Sequence, residues 1–263
     1  MQCRILILTL AVMLSGCASG YQKFYKSYAD AKTLPDVQTL SPNEAPKIFA
    51  SDDLARDVRI ARSKGYIVIG QSSFNGEKES ERGMIEQAQQ NGAVMVLFSS
   101  KFAGTRTITT PLFLPNNKTT YSSGTVNGTG GSANYSGTST TYGTTVVPLT
   151  TEQQRYNQAA VYFVKSTRKP RVGLATLDLT PELRKNLERN TGVIVDIVRE
   201  ESPAFIANVL PGDIIIEING ITVINSKHAY ELMQTASPSQ GKLTLKIIRN
   251  GTERLIGINL VPT

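Results

Sequence analysis

Leu210-Pro-Gly-Asp213-Ile-Ile-Ile-Glu-Ile218-Asn-Gly220 is the stretch that decides the fold of the C-terminal third. Pro211, Gly212 and Asp213 are turn residues, so the chain enters a strand at Ile214. Ile214 to Ile218 is a short apolar run. Asn219-Gly220 closes it with a turn that needs positive φ at both central residues. Working outward, Thr191 to Val198 reads as a strand, and Ser202-Pro203-Ala204 opens a short helix. Further upstream, Leu174 to Leu179 is extended, followed by Thr180 as N-cap, Pro181 at N1 and a short helix at Leu183. Downstream, Ser226 is placed to cap a helix covering His228 to Met233. Lys242 to Ile248, Asn250-Gly251 and Glu253 to Leu260 form a last hairpin.

This order of elements resembles a PDZ domain, specifically the kind attached to the high-temperature-requirement serine proteases. The pieces carrying the resemblance are Val172-Gly173-Leu174, Asp178-Leu-Thr-Pro-Glu-Leu183, Ser202-Pro-Ala204, Pro211-Gly-Asp-Ile-Ile215, Ile218-Asn-Gly220 and Ile248-Arg-Asn-Gly251. Each piece alone is weak; six in order are specific. The resemblance covers residues 169–263 and implies a partly open β-barrel with two to three short helices. It also implies binding of an extended peptide as an added strand, usually through its C-terminal carboxylate. By that resemblance, Arg171, Val172, Gly173 and Leu174 form the carboxylate loop, with Gly173 permitting close backbone approach. Ala175 lies on the binding strand. His228 and Leu232, four apart on one helix face, form the opposite wall. His228 is equally readable as an exposed helix-start residue, and Arg171 as a solvated junction charge. Two departures stand out. Asn208 occupies a position where the family often has Gly, though Asn tolerates the left-handed conformation. Ala175 is smaller than the residue common on the binding strand.

The N-terminus is an address. Arg4 precedes the apolar run Ile5 to Leu14, too short to span a bilayer. Leu14-Ser15-Gly16-Cys17 then resembles the bacterial lipobox, which implies cleavage before Cys17 and a diacylglycerol on its thiol. Acyl chains add about 0.8 kcal/mol per buried methylene, so two or three anchor firmly. An ordinary secretory signal with an incidental Cys is the other reading. Ala18, rather than Asp, implies by resemblance the outer membrane. Residues 17–45, with Pro35 and Pro42, read as a poorly structured lipidated tether.

Residues 46–168 read as a small α/β domain. Ser51 is a plausible N-cap for a helix ending at Gly65. Tyr66 to Gly70 is a strand, Gln71 to Gly76 a loop, and Glu79 to Gln90 a second helix with an inner stripe of Met84, Ile85 and Ala88. Ala93 to Phe98 is a strand that completes a parallel strand-helix-strand unit. Further strands are expected at Thr105 to Leu114 and Tyr156 to Lys165. The Gly70 to Gly76 loop lacks the Gly-Lys-Ser/Thr of a nucleotide site, and Glu77 and Glu79 repel phosphate. Between 117 and 145 the chain is nearly all Thr, Ser, Gly, Tyr and Asn. It is either a disordered insertion or an extended hairpin turning at Asn127-Gly128 or Gly130-Gly131.

The overall fold class is therefore α+β. The chain has 263 residues, a net charge of +7, two cysteines (Cys3 and Cys17) and one histidine, His228. These exclude a disulfide framework, a thiolate cluster and a His-based metal site. The basic residues form no stripe interleaved with aromatics, so no nucleic acid is expected. His228 lies within the PDZ-like region, so no Ser-His-Asp triad assembles upstream of it. The reading is a lipid-anchored envelope protein without enzymatic activity, metal or cofactor. Its PDZ-like region takes C-termini or extended segments of envelope proteins. The alternative is a structural or surface-interaction lipoprotein with a closed groove. The sequence leaves the oligomeric state and the membrane face open.

Overall fold

The computed structural model describes residues 18–42, 44–235 and 241–260. The signal segment 1–16 and Cys17 lie outside the described residues. The chain divides into two compact units, Met1–Lys101 with Asn157–Thr263, and Phe102–Tyr156.

The first unit opens with α1 (Gly20–Lys23), β1 (Tyr25–Ser27), β2 (Val37–Gln38), β3 (Lys47–Ala50), α2 (Leu54–Ser63), β4 (Tyr66–Gly76) and α3 (Glu81–Asn91). The long strand β5 (Met95–Pro115) leads into the second unit, which holds β6 (Lys118–Gly128) and β7 (Gly131–Thr141). The strand β8 (Thr144–Ser166) leads back. The sheet order is β1-β4-β8-β5-β3, with β2 on β8. The run Ala160-Val-Tyr-Phe-Val164 is apolar throughout because both faces of the sheet are covered. Tyr162 and Val164 point into a cluster with Tyr21 of α1 and Met84 and Ala88 of α3. Val161 and Phe163 point the other way, against Ala61 of α2. This is the period-2 alternation of a strand between two helical layers.

Four expectations about this region are corrected. Residues 19–39 are not a tether. Ser19 closes a capping box with Gln22, Tyr21 is 1% exposed, and its ring meets Phe74 edge-on at 5.0 Å. The Tyr21 carbonyl accepts the Ser72 hydroxyl at 2.6 Å. Residues 71–76 are not a loop but the second half of β4, which has β1 on one side (Tyr25↔Ser72, Lys26↔Gln71) and β8 on the other. β4 and β5 are not neighbours; β8 lies between them, and the parallel pair is β3 with β5. The cap of α2 is Asp53, whose side chain accepts the Arg56 N–H at 3.0 Å; Ser51 instead donates to Asp57 at 2.7 Å. α3 ends at Gly92, which is left-handed at φ 74°.

The second unit is the polar insertion and its flanks. β6 and β7 form an extended hairpin in which Gly128 faces Gly131, so the two-residue turn is Thr129-Gly130, between the two turns considered from sequence. A Cβ at Gly124 would lie 2.8 Å from the Tyr135 ring, so the tyrosine covers the opposed glycine. The unit is almost wholly exposed and adds no residue to the core clusters, which yields a prediction. Replacing 102–156 by a short Gly/Ser linker should leave the unfolding free energy of the rest unchanged within about 0.5 kcal/mol, the scale of surface changes. Urea unfolding followed by circular dichroism checks this, and a large loss would mean that the insertion props the core.

The rest of the first unit is β9 (Leu174–Asp178), α4 (Pro181–Asn186), β10 (Val193–Val198), α5 (Pro203–Ile206), β11 (Ile214–Ile218), β12 (Ile221–Thr222), α6 (Ser226–Thr235), β13 (Lys242–Arg249) and β14 (Thr252–Asn259). The sheet runs β14-β13-β11-β10-β9, with β12 on β11. Asn219-Gly220 and Asn250-Gly251 all have positive φ and join their strands as two-residue turns. Asn208 takes the left-handed conformation at φ 61°, as its position in place of a Gly requires. The cap of α6 is Asn225, which accepts the His228 N–H at 2.9 Å, one residue before the expected Ser226. The core runs through Val193, Val195, Ile215, Leu243, Leu245, Ile247 and Ile258.

Candidate functional site: the β9 edge and its cavity

β9 ends the sheet. It pairs with β10 on one side, and among the described residues no strand pairs with its other edge. α6 is fastened beside it at both ends. Where β9 stops, Asp178 Oδ1 accepts the Ser226 N–H at 2.6 Å. That bond holds the Asp178 carboxyl below the usual carboxylate range. Where β9 starts, Arg171 Nη1 donates to the Gln234 carbonyl at 2.8 Å. The helix therefore runs antiparallel to the strand, and an edge of unpaired N–H and C=O groups is left facing outward.

The loop before β9 is held from behind. The Val172 carbonyl accepts the Ala204 N–H at 2.9 Å, and the Gly173 carbonyl accepts the Arg199 N–H at 2.8 Å. Gly173 is left-handed at φ 86°, and a Cβ there would overlap the Ser202 side chain. Val172 is buried and belongs to the core cluster, with Leu174 and Leu232 packed against it. His228 is half-buried, and its Nδ1 accepts the Ile224 N–H at 3.3 Å.

Arg171 to Ala175 line a cavity of about 850 Å³. Its helix wall is Tyr230, Met233 and Gln234. His228 and Leu232, the helix residues expected to face a peptide, are not among the residues lining this cavity; Leu232 packs with Leu174 against the domain core. The helix face turned to the cavity is the 230/233/234 stripe, spaced three and four apart. A third wall could not be read from sequence. Val58 and Arg62 of α2 and Tyr66 and Val68 of β4 close the cavity from the α/β side. That side is joined to β10 by ion pairs from Arg59 (3.1 Å) and Arg62 (3.7 Å) to Asp196, and by the Glu200 N–H on the Ser63 carbonyl at 2.8 Å.

The cavity is cationic. Arg62, Arg168, Lys169, Arg171 and Arg199 line it, and no Asp or Glu does among the described residues. Burial pushes the Arg199 guanidinium below its ordinary pKa. Arg171 Nη2 is buried without a hydrogen-bond partner among the described residues. Such a donor is costly unless something accepts from it.

Residues 164–260 match the PDZ domain family model. This identifies that region as a PDZ domain, a binding domain. It resembles those of the HtrA/DegP type. A probable periplasmic serine endoprotease DegP-like of Pseudomonas putida (strain W619) is 29% identical over 34% of this chain and 18% of its own length. Its counterpart in Pseudomonas fulva (strain 12-X) is 26% identical over 43% of this chain and 23% of its own. The chain thus spans about a fifth of the length of these curated relatives. Among solved structures, the HtrA3 PDZ domain bound to a phage-derived ligand is 28% identical over 34% of this chain and 81% of that one, with a TM-score of 0.30. The HtrA-type protease AlgW with a decapeptide is 22% identical over 39% of this chain and 38% of that one, with a TM-score of 0.31.

Proposed function

We propose that this protein binds extended peptides at their C-termini and catalyses nothing itself. The observation that carries the reading is the unpaired edge of β9, flanked by α6 and opening at Gly173 into the cavity. A peptide laid on that edge gains main-chain hydrogen bonds, and its carboxylate meets the loop at Arg171 to Leu174. The unpartnered Arg171 Nη2 suits that anion. The terminal side chain sits against Leu174 and Val172, with Ala175 beneath the peptide backbone. His228 and Leu232 serve residues further from the terminus. In the wider reading, Cys17 carries the lipid, the protein is held in the outer membrane, and it presents envelope proteins for quality control. The periplasmic relatives support an envelope location. A surface-interaction role is the second reading, favoured by the exposed Phe113 (63%) and Tyr121 (80%) of the second unit.

The test is titration of the chain from Ala18 onward against C-terminal peptides with free and amidated ends. Micromolar binding that amidation weakens about tenfold or more is expected, since each tenfold is 1.4 kcal/mol. Equal binding of both forms would remove the carboxylate from the reading, and no binding at all would leave the surface-interaction role.

A further inference from the structure

On the reading that a peptide C-terminus seats on β9, we propose that the cavity is also a side-chain subsite, selecting Asp or Glu at the residue before the terminus. Successive side chains of an added strand point to opposite faces. If the terminal residue faces the core at Leu174, the one before it faces the other way. On that other face the strand does not meet open solvent. Ala175 pairs with Ile197 across the sheet, and both line the cavity opposite Val58 and Arg62. Ile197 is 6% exposed, which places a wall close by. The smallness of Ala175, which departs from the usual binding strand, leaves this space unfilled; a long side chain there would occupy it.

Charge decides what enters. Arg168, Lys169 and Arg199 make no salt bridge among the described residues, and Arg62 has only Asp196, at 3.7 Å and shared with Arg59. Four cations beyond Arg171 converge on a cleft in which no carboxylate answers them among the described residues. Packed cations repel one another, and an acidic side chain relieves this with charge-assisted hydrogen bonds in a partly desolvated site. A basic side chain at the same position is disfavoured by the same field. The α/β domain thus becomes part of the recognition surface.

A degenerate library of free-carboxylate octapeptides, enriched on the chain from Ala18 and then sequenced, tests this. Asp and Glu are expected to rise about three- to fivefold at the penultimate position, the scale of a partly exposed ion pair. The Arg168→Gln/Lys169→Gln pair should lower that enrichment, and Ala175→Met should lower it by filling the cleft. Peptides retained with a terminal-residue preference but no penultimate acid preference would overturn the subsite and leave C-terminal binding standing. So would an acid preference unchanged in both variants. A library from which nothing is retained would overturn the C-terminal reading itself, and the subsite with it.

Discussion

Asp213→Ala should destabilise the C-terminal domain by about 3–5 kcal/mol, the cost of breaking a buried ion pair from one side. Asp213 is 2% exposed and accepts from Arg249 Nε and Nη2, both at 2.6 Å, and from the Leu210 N–H at 2.9 Å. Arg249 also donates to the Asn208 carbonyl at 2.8 Å. One carboxylate therefore fixes the turn after α5, the start of β11 and the end of β13. Removing it strands a guanidinium whose side chain is 15% exposed and leaves the Leu210 N–H unsatisfied. Against a typical domain stability of about 5–15 kcal/mol, the loss is a large fraction. Urea unfolding of the full chain measures it. The paired change Asp213→Leu/Arg249→Met should recover part of the loss, because it removes both charges and leaves neither buried alone. A single variant that unfolds at the same urea concentration as the parent would show the pair to be without net effect.

That pair also marks how far the sequence can be read. Pro211-Gly-Asp213 is legible as a turn, but its partner stands 36 residues away, and nothing local announces it. The C-terminal strands were legible because the period-2 pattern and the Asn-Gly turns agree, and φ is positive at each of those turn residues. The N-terminal region was not. A four-residue helix and a three-residue strand are too short to carry a period, so nothing in the spacing marks Tyr21 and Tyr25 as core residues. The polar Gln71-Ser-Ser-Phe-Asn reads as a loop because its partners, β1 at Gln71 and Ser72 and the distant β8, are not signalled by any local pattern. The site divides in the same way. Arg171 to Ala175 follow from a motif. The cavity's helix wall, Tyr230, Met233 and Gln234, is a different set of α6 residues from the His228/Leu232 pair that the motif order points to. The α/β wall depends on contacts such as Arg59 with Asp196, 137 residues apart, which no spacing rule reaches.

Gly173→Ala should lower affinity for a C-terminal peptide at least about tenfold, and the cause can be isolated. Two effects act together. At φ 86° an L-residue costs about 1–2 kcal/mol. The new Cβ also overlaps Ser202 Cβ and Oγ, with Pro170 Cγ next at 3.4 Å. Ser202 has little room to move. It is fully buried, and its Oγ caps α5 by accepting the Phe205 N–H at 3.2 Å. The loop must therefore yield, taking with it the Val172 and Gly173 carbonyls that fasten it to Ala204 and Arg199. Adding Ser202→Gly removes the overlapping atoms, and Gly in place of Ser at an N-cap costs only a few tenths of a kcal/mol. The double variant should regain the part of the affinity lost to overlap and keep the part lost to φ. A non-additive cycle, measured by peptide titration beside the unfolding midpoint, is the expected result. Additive losses would mean that the loop moves freely of Ser202, and that Gly173 matters for its dihedral alone.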